Sequence, residues 1–165
     1  TGANAALKSR LAGASAADVA ALNAARKRWL ADARRVDRSG LSGLAAVDYD
    51  AMTSSWALVS AAQDRFPYAD MSYPAPYVLS QLTGSYQSTP DFLDSQHTVK
   101  TAADAEAYLA RLRAFARNMT EETARFRADA AAGIVPPDFV LERALTQMRA
   151  VRAAPASRST PVQSL

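Results

Sequence analysis

Apolar positions recur along most of this chain at spacings of three and four, the periodicity of amphipathic helices. Val19, Leu22, Ala25, Trp29, Ala33 and Val36 form one stripe and predict a helix over 16–36, with Ser15 and Asp18 as a capping-box-like pair and Ser39-Gly40 as its stop. A second helix, 42–65, carries two adjoining stripes. One holds Leu44, Val47, Ala51, Leu58 and Ala62; the other holds Tyr49, Met52, Trp56, Val59 and Phe66. Together they span more than half the circumference, which predicts the most buried helix of the set. Trp56→Ala is then expected to cost about 3–5 kcal/mol. A third helix, 102–132, opens on Thr101 with Asp104 three residues on. Tyr108, Leu112, Phe115, Met119, Phe126 and Ala130 line one face, and Gly133 supplies the stop. Pro136-Pro137 opens a fourth helix, 138–153, with Val140, Leu141, Ala144, Met148 and Val151 inward.

The segment 66–98 differs in character. It holds Phe66, Tyr68, Tyr73, Tyr77 and Tyr86 together with Pro67, Pro74, Pro76 and Pro90. Prolines at these positions forbid one long helix. The pattern predicts a loop to about residue 75, a short helix over 76–83, a turn near Gly84 and a further short helix beginning at Pro90. The expected fold is all-α: about four main helices, with short helices in a Pro/Tyr-rich middle. Residues 1–154 read as one helical domain and 155–165 as a linker-like tail.

Composition supports the helical reading. The chain has 165 residues, of which 38 are alanine, the best helix former, against one isoleucine and ten scattered valines. Apolar residues make up 49%, enough to close a core. The absence of cysteine excludes disulfides, thiol nucleophiles and Cys-based zinc sites. A single histidine, His97, excludes any site built on two or three imidazoles of this chain. The net charge is +3. Arg26-Lys27-Arg28 and Arg34-Arg35 are interleaved with Asp32 and Asp37 and lie opposite the Trp29 stripe, so they read as a solvated face and no nucleic-acid partner is expected. No run of 18 apolar residues exists to span a membrane.

Candidate chemistry is sparse. Asp91, Asp94 and His97 at i, i+3 and i+6 share roughly one helix face, a spacing compatible with a metal site or a carboxylate-oriented base. Pro90 in a first turn instead places Asp91 where the positive helix end attracts an anion, and capping is the favoured reading. Ser80, Ser85 and Ser88 lack a nucleophile elbow, and Gly84 and Gly133 stand alone, so neither a serine triad nor a phosphate loop is expected. The tyrosines of the middle segment, beside Gln81 and Gln87, suit a cleft wall and equally suit a plug under a long loop.

Arg65 to His97, "RFPYADMSYPAPYVLSQLTGSYQSTPDFLDSQH", with "TAADAEAYLARLRAFAR", "GIVPPDFVLERALTQMRA", "LAAVDYDAM" and the opening "TGANAALKSRL", resembles the amino-terminal helical region of the bacterial domain-of-unknown-function family 885. The resemblance covers nearly the whole chain. It implies a longer, exported or periplasmic parent similar to zinc metallopeptidases, with a His-Glu stretch beyond Leu165 and a peptide-like substrate. That stretch is not in this sequence, so none of the family's metal ligands maps onto it, and no cofactor is expected within the chain. The chain would then be a fragment that shapes the cleft and packs on a carboxy-terminal catalytic half. Tyr77, Gln81, Tyr86, Gln87 and His97 are the expected cleft residues. The alternative is a non-catalytic helical interaction module.

Overall fold

A computed structural model describes residues 6–68 and 76–164. It is all-α, with no strand among the described residues. The helices are α1 (Ala16–Ala33), α2 (Gly43–Arg65), α3 (Ser85–Gln96), α4 (Ala102–Ala131), α5 (Asp138–Ala153) and α6 (Thr160–Gln163), with 3-10 turns at Arg38–Gly40 and Ala156–Arg158. The chain divides into two compact units. The smaller is Ala17–Pro76; the larger combines Thr1–Ala16 with Tyr77–Leu165.

The smaller unit is a helix pair. Trp29 of α1 and Trp56 of α2 meet with ring centroids 6.2 Å apart and planes tilted by 43°. The connection is set by local polar chemistry. The N–H of Val36 turns back onto the Ala33 carbonyl at 3.0 Å, and α1 ends three residues before its predicted end at residue 36. Asp37 then accepts from the backbone N–H and hydroxyl of Ser39 at 2.9 and 2.7 Å, which holds its carboxyl below the usual carboxylate range. Arg38 forks onto Asp50 of α2 at 2.7 and 2.6 Å.

The expectation that α2 is the most buried helix fails. Ala46 and Gln63 are its buried residues. Leu44, Val47 and Leu58, one of the two predicted inward stripes, are 74%, 61% and 72% exposed. Two stripes need two neighbours, and within this unit α2 has α1 alone. On α1 only Leu30 is buried, while Leu22 and Trp29 of the predicted stripe, and Val36 just past the helix, remain partly exposed.

The larger unit has a closed core of Tyr86, Leu93, Tyr108, Ala114, Val140 and Ala144, in which Leu93 and Tyr108 are fully buried. Val151, predicted inward on α5, is exposed. The ends of α4 follow the sequence. Thr101 Oγ1 accepts from the Asp104 N–H at 3.2 Å and Asp104 accepts from the Thr101 N–H at 3.0 Å, a complete capping box. At the other end Gly133 has φ +82°, and the N–H groups of Gly133 and Ile134 bond the carbonyls of Ala130 and Asp129, a Schellman stop.

The middle segment departs from prediction in two ways. Residues 76–83 form bends rather than a short helix. They are folded by side chains: Ser80 Oγ accepts from the N–H groups of Leu82 and Thr83, and Thr83 Oγ1 donates to the Tyr77 carbonyl. The following helix starts at Ser85, five residues before Pro90, which sits inside it. The rest of the predicted loop, including Tyr73 and Pro74, lies outside the described residues. The tail expected as linker carries α6. Tyr108 donates to the Pro161 carbonyl at 2.6 Å, and Ser164 donates to Asp94 of α3 at 2.7 Å.

Candidate functional site

The start of α3 is fixed by a residue 37 positions away. Gly84, at φ +115°, precedes the helix and offers no capping side chain. A Cβ there would lie 2.8 Å from Leu79 Cδ2, so the backbone turns where only glycine fits. The buried Glu122 carboxyl of α4 takes the cap's place. Both its oxygens accept from the Ser85 N–H at 3.0 Å, and Oε1 accepts from the Ser85 hydroxyl at 2.8 Å. An anion at a helix N-terminus satisfies donors that would otherwise be orphaned. Burial nevertheless pushes the Glu122 carboxyl up, against the lowering effect of Ser85.

This anchoring aims the first turn of α3 at α5. Gln81, Leu82 and Gln87 face Glu142, Arg143, Thr146 and Gln147 across a shallow groove of about 560 Å³. Tyr86 is buried beside it. Its hydroxyl lies 2.7 Å from both the Ser80 carbonyl and Gln147 Oε1, and with one proton it donates to one of them at a time. Burial raises the phenol above its ordinary range, so it stays protonated. Gln81 Oε1 is buried and has no hydrogen-bond partner among the described residues. A buried amide oxygen left unpaired is uncommon and costs roughly 1–3 kcal/mol.

The expected cleft residues therefore separate. Gln81 and Gln87 line the groove and Tyr86 supports it. Tyr77 is half-buried, and its carbonyl holds Thr83. His97 lies at the far end of α3, buried against α4. The groove's other wall, with Gln147 and the Glu142 and Arg143 charges, comes from the polar face of α5. That face carries a run of long polar side chains but no spacing that marks it as a site.

His97 is fully engaged. Its Nδ1 lies 2.8 Å from Arg111 Nη1, and its Nε2 lies 3.1 Å from the Asp104 carbonyl. A guanidinium only donates, so Nδ1 accepts and Nε2 carries the proton. The ring meets Tyr108 edge-on, with centroids 5.1 Å apart. Burial, opposed by the Asp104 carbonyl and reinforced by the charges of Arg111 and Lys8, pushes the imidazole below its usual range and keeps it neutral. Both nitrogens are used, which leaves no lone pair for a metal or a substrate proton. Asp91 and Asp94 are exposed, and Asp94 accepts from the Ser164 hydroxyl. Among the described residues no group of three His, Cys, Asp or Glu side chains is placed to hold a metal ion. No described helix is long and apolar enough to cross a membrane.

Comparison with curated proteins and with solved structures gave no match. A family model does match, over residues 1–165, and its description is "Bacterial protein of unknown function (DUF885)". A match over every residue, including the Gln81–Gln87 turn and the α5 wall, makes this chain a member of the DUF885 family.

Proposed function

We propose that this chain is the helical, cleft-forming part of a hydrolase that acts on peptide-like bonds, exported and completed by a catalytic part outside the chain. The observation that carries this reading is a groove lined by the side-chain amides of Gln81, Gln87 and Gln147 and the hydroxyl of Thr146. Side-chain amides and a hydroxyl match the alternating donors and acceptors of a peptide group. Metal-bound water would supply the nucleophile in such an enzyme. The described residues of this chain do not fit that role, so they bind and orient and take no step in bond cleavage.

The test uses the complete gene product supplied with zinc, assayed on a mixed peptide library. Chelator-sensitive cleavage is expected. Gln81→Ala is expected to raise KM about tenfold, the worth of one hydrogen bond, with kcat changed less than about twofold. Absence of any peptide cleavage by the complete product overturns the reading. The exposed row Leu44, Val47 and Leu58 on α2 would then favour the second reading, a non-catalytic helical interaction module.

A further inference from the structure

Along α4, four polar side chains recur every seven residues: Asp104, Arg111, Asn118 and Arg125. Seven residues are close to two helical turns, so the four share one face, and Glu121 falls between the last two. They address the amino-terminal segment 7–14. Arg111 donates to the carbonyls of Leu7 and Arg10 at 3.2 and 3.0 Å. Asn118 donates to the Ala12 carbonyl at 2.9 Å. Glu121 accepts from the Ala14 N–H at 3.2 Å, and Arg125 donates to the Ala14 carbonyl at 3.3 Å. Arg111 is held for this task from behind by His97 Nδ1 and by the Phe92 ring, 4.9 Å from its guanidinium carbon.

All five contacts are to main-chain atoms. The side chains of the segment contribute little: Leu7 is 56% exposed, Ser9, Arg10 and Ala12 are exposed, and only Ala14 is buried. Lys8 is the exception, paired with Asp104 at one end. A hydrophobic element of a fold is held by what it buries. This segment is held by a row of fixed donors, with one acceptor where an N–H falls. Such a row recognises any chain that can present carbonyls and an amide at these intervals.

We propose that this face of α4 is a peptide-binding track that reads main chain rather than side chains, filled here by the protein's own residues 7–14, and that a second peptide can displace them. The track is separate from the Gln81 groove and does not depend on hydrolase activity.

The absence of cysteine allows a single fluorophore at an exposed position of the strap, Ser9→Cys, in the full chain. A short tether holds the strap at an effective concentration on the order of millimolar, so Lys8→Ala is added to weaken it. The probes are a synthetic peptide of residues 6–15, the same composition shuffled, and the first peptide with an ester in place of the Ala14 amide. Displacement is read as a fall in dye anisotropy while the helical circular dichroism stays constant. The native and shuffled peptides are expected to displace the strap with midpoints within about tenfold, since the Lys8 side chain that pairs with Asp104 is more than a third exposed and its ion pair is screened by solvent. The ester removes the N–H that Glu121 accepts and is expected to weaken displacement roughly tenfold or more. The proposal is overturned if no peptide lowers the anisotropy up to about ten times the tether's effective concentration. It is equally overturned if only the native sequence displaces the strap, or if the ester binds as well as the amide.

Discussion

The two units use the same alanine-rich helical material to different ends. In the larger, Leu93 and Tyr108 are fully buried, and titratable groups such as Glu122, His97 and Arg111 are turned inward onto named partners. In the smaller, a helix pair meets at one tryptophan contact, its ion pairs are exposed, and three large apolar side chains of α2 stand in water. The difference is one of neighbour number. A helix has a single stripe to give each neighbour. The larger unit surrounds α4 with α3, the tail and the strap, so polar groups are desolvated and must be satisfied. The smaller unit has one interface, so neither burial nor polar satisfaction is enforced.

The sharpest way to break this contrast is Leu93→Ala. A fully buried leucine truncated to alanine is expected to cost about 3–5 kcal/mol. Both tryptophans, Trp29 and Trp56, lie in the smaller unit, so their fluorescence reports that unit while far-ultraviolet dichroism reports both. Leu93→Ala should shift the dichroism transition in denaturant and leave the fluorescence transition in place. Equal shifts of both would show that the two units unfold as one and that the contrast has no thermodynamic meaning.

Next in size is the remote cap. Glu122→Ala leaves the Ser85 N–H and hydroxyl without an acceptor and is expected to cost about 2–3 kcal/mol, whereas Glu122→Gln keeps one acceptor and should cost about half as much. Equal and small losses would mean that water caps α3 and that the groove's first wall is not fixed by α4. Trp56→Ala, set at 3–5 kcal/mol by the two-stripe expectation, should cost only about 1–2 kcal/mol, because the ring is half-buried against a partly exposed Trp29.

These residues also show how much the sequence discloses. The capping box of Thr101 and Asp104 and the Gly133 stop are local, and both ends of α4 are legible to within a residue. Glu122 capping Ser85 is a pairing across 37 positions, and no local pattern announces it. Pro90, the strongest nearby signal, therefore looks like a helix start when it is an interior residue, at the loss of the bond its N–H would make. The stripe of α2 reads as buried because periodicity reports which face is apolar and not whether anything covers it. The site divides the same way. Gln81, Tyr86 and Gln87 are flagged by the unusual composition of their segment. Gln147 comes from a helix whose polar face looks like any solvated one. The seven-residue spacing of Arg111, Asn118 and Arg125 is plain in the sequence, yet its use becomes visible only once the strap lies across it.

The pH dependence sharpens the contrast, since the groups with perturbed titration and a buried side chain belong to the larger unit. His97 titrates below its ordinary value of 6.5 because burial disfavours its cation. Below 6.5 the unfolded chain takes up a proton that the folded chain refuses. The contribution is therefore whole above 6.5 and is lost as pH falls toward the depressed folded value. Glu122, raised from 4.5, acts in the opposite sense: its contribution grows as pH falls through its raised value. Asp104 is held well below its ordinary 3.8 by Lys8 and the N–H of Lys100, so its contribution disappears only at pH below 3.8. Just below 6.5, where the unfolded imidazole takes up its proton, the His97 effect is expected to make stability fall with pH, and His97→Gln should remove that part of the slope. An unchanged slope would place the responsible group elsewhere.

The smallest expected effect is the most exacting test of the smaller unit. Leu44→Gln and Leu58→Gln each replace a side chain that is wet in the folded chain as well as in the unfolded one, so little transfer free energy changes hands. Each should shift the fluorescence-detected midpoint by less than about 0.5 kcal/mol, the range of ordinary surface substitutions. The two should also be additive, because they lie fourteen residues, about 21 Å, apart along one helix. A loss above about 2 kcal/mol at either position lies outside what an exposed leucine can produce. It would mean that the row is covered in solution, and that the helix pair has the second neighbour its two stripes call for.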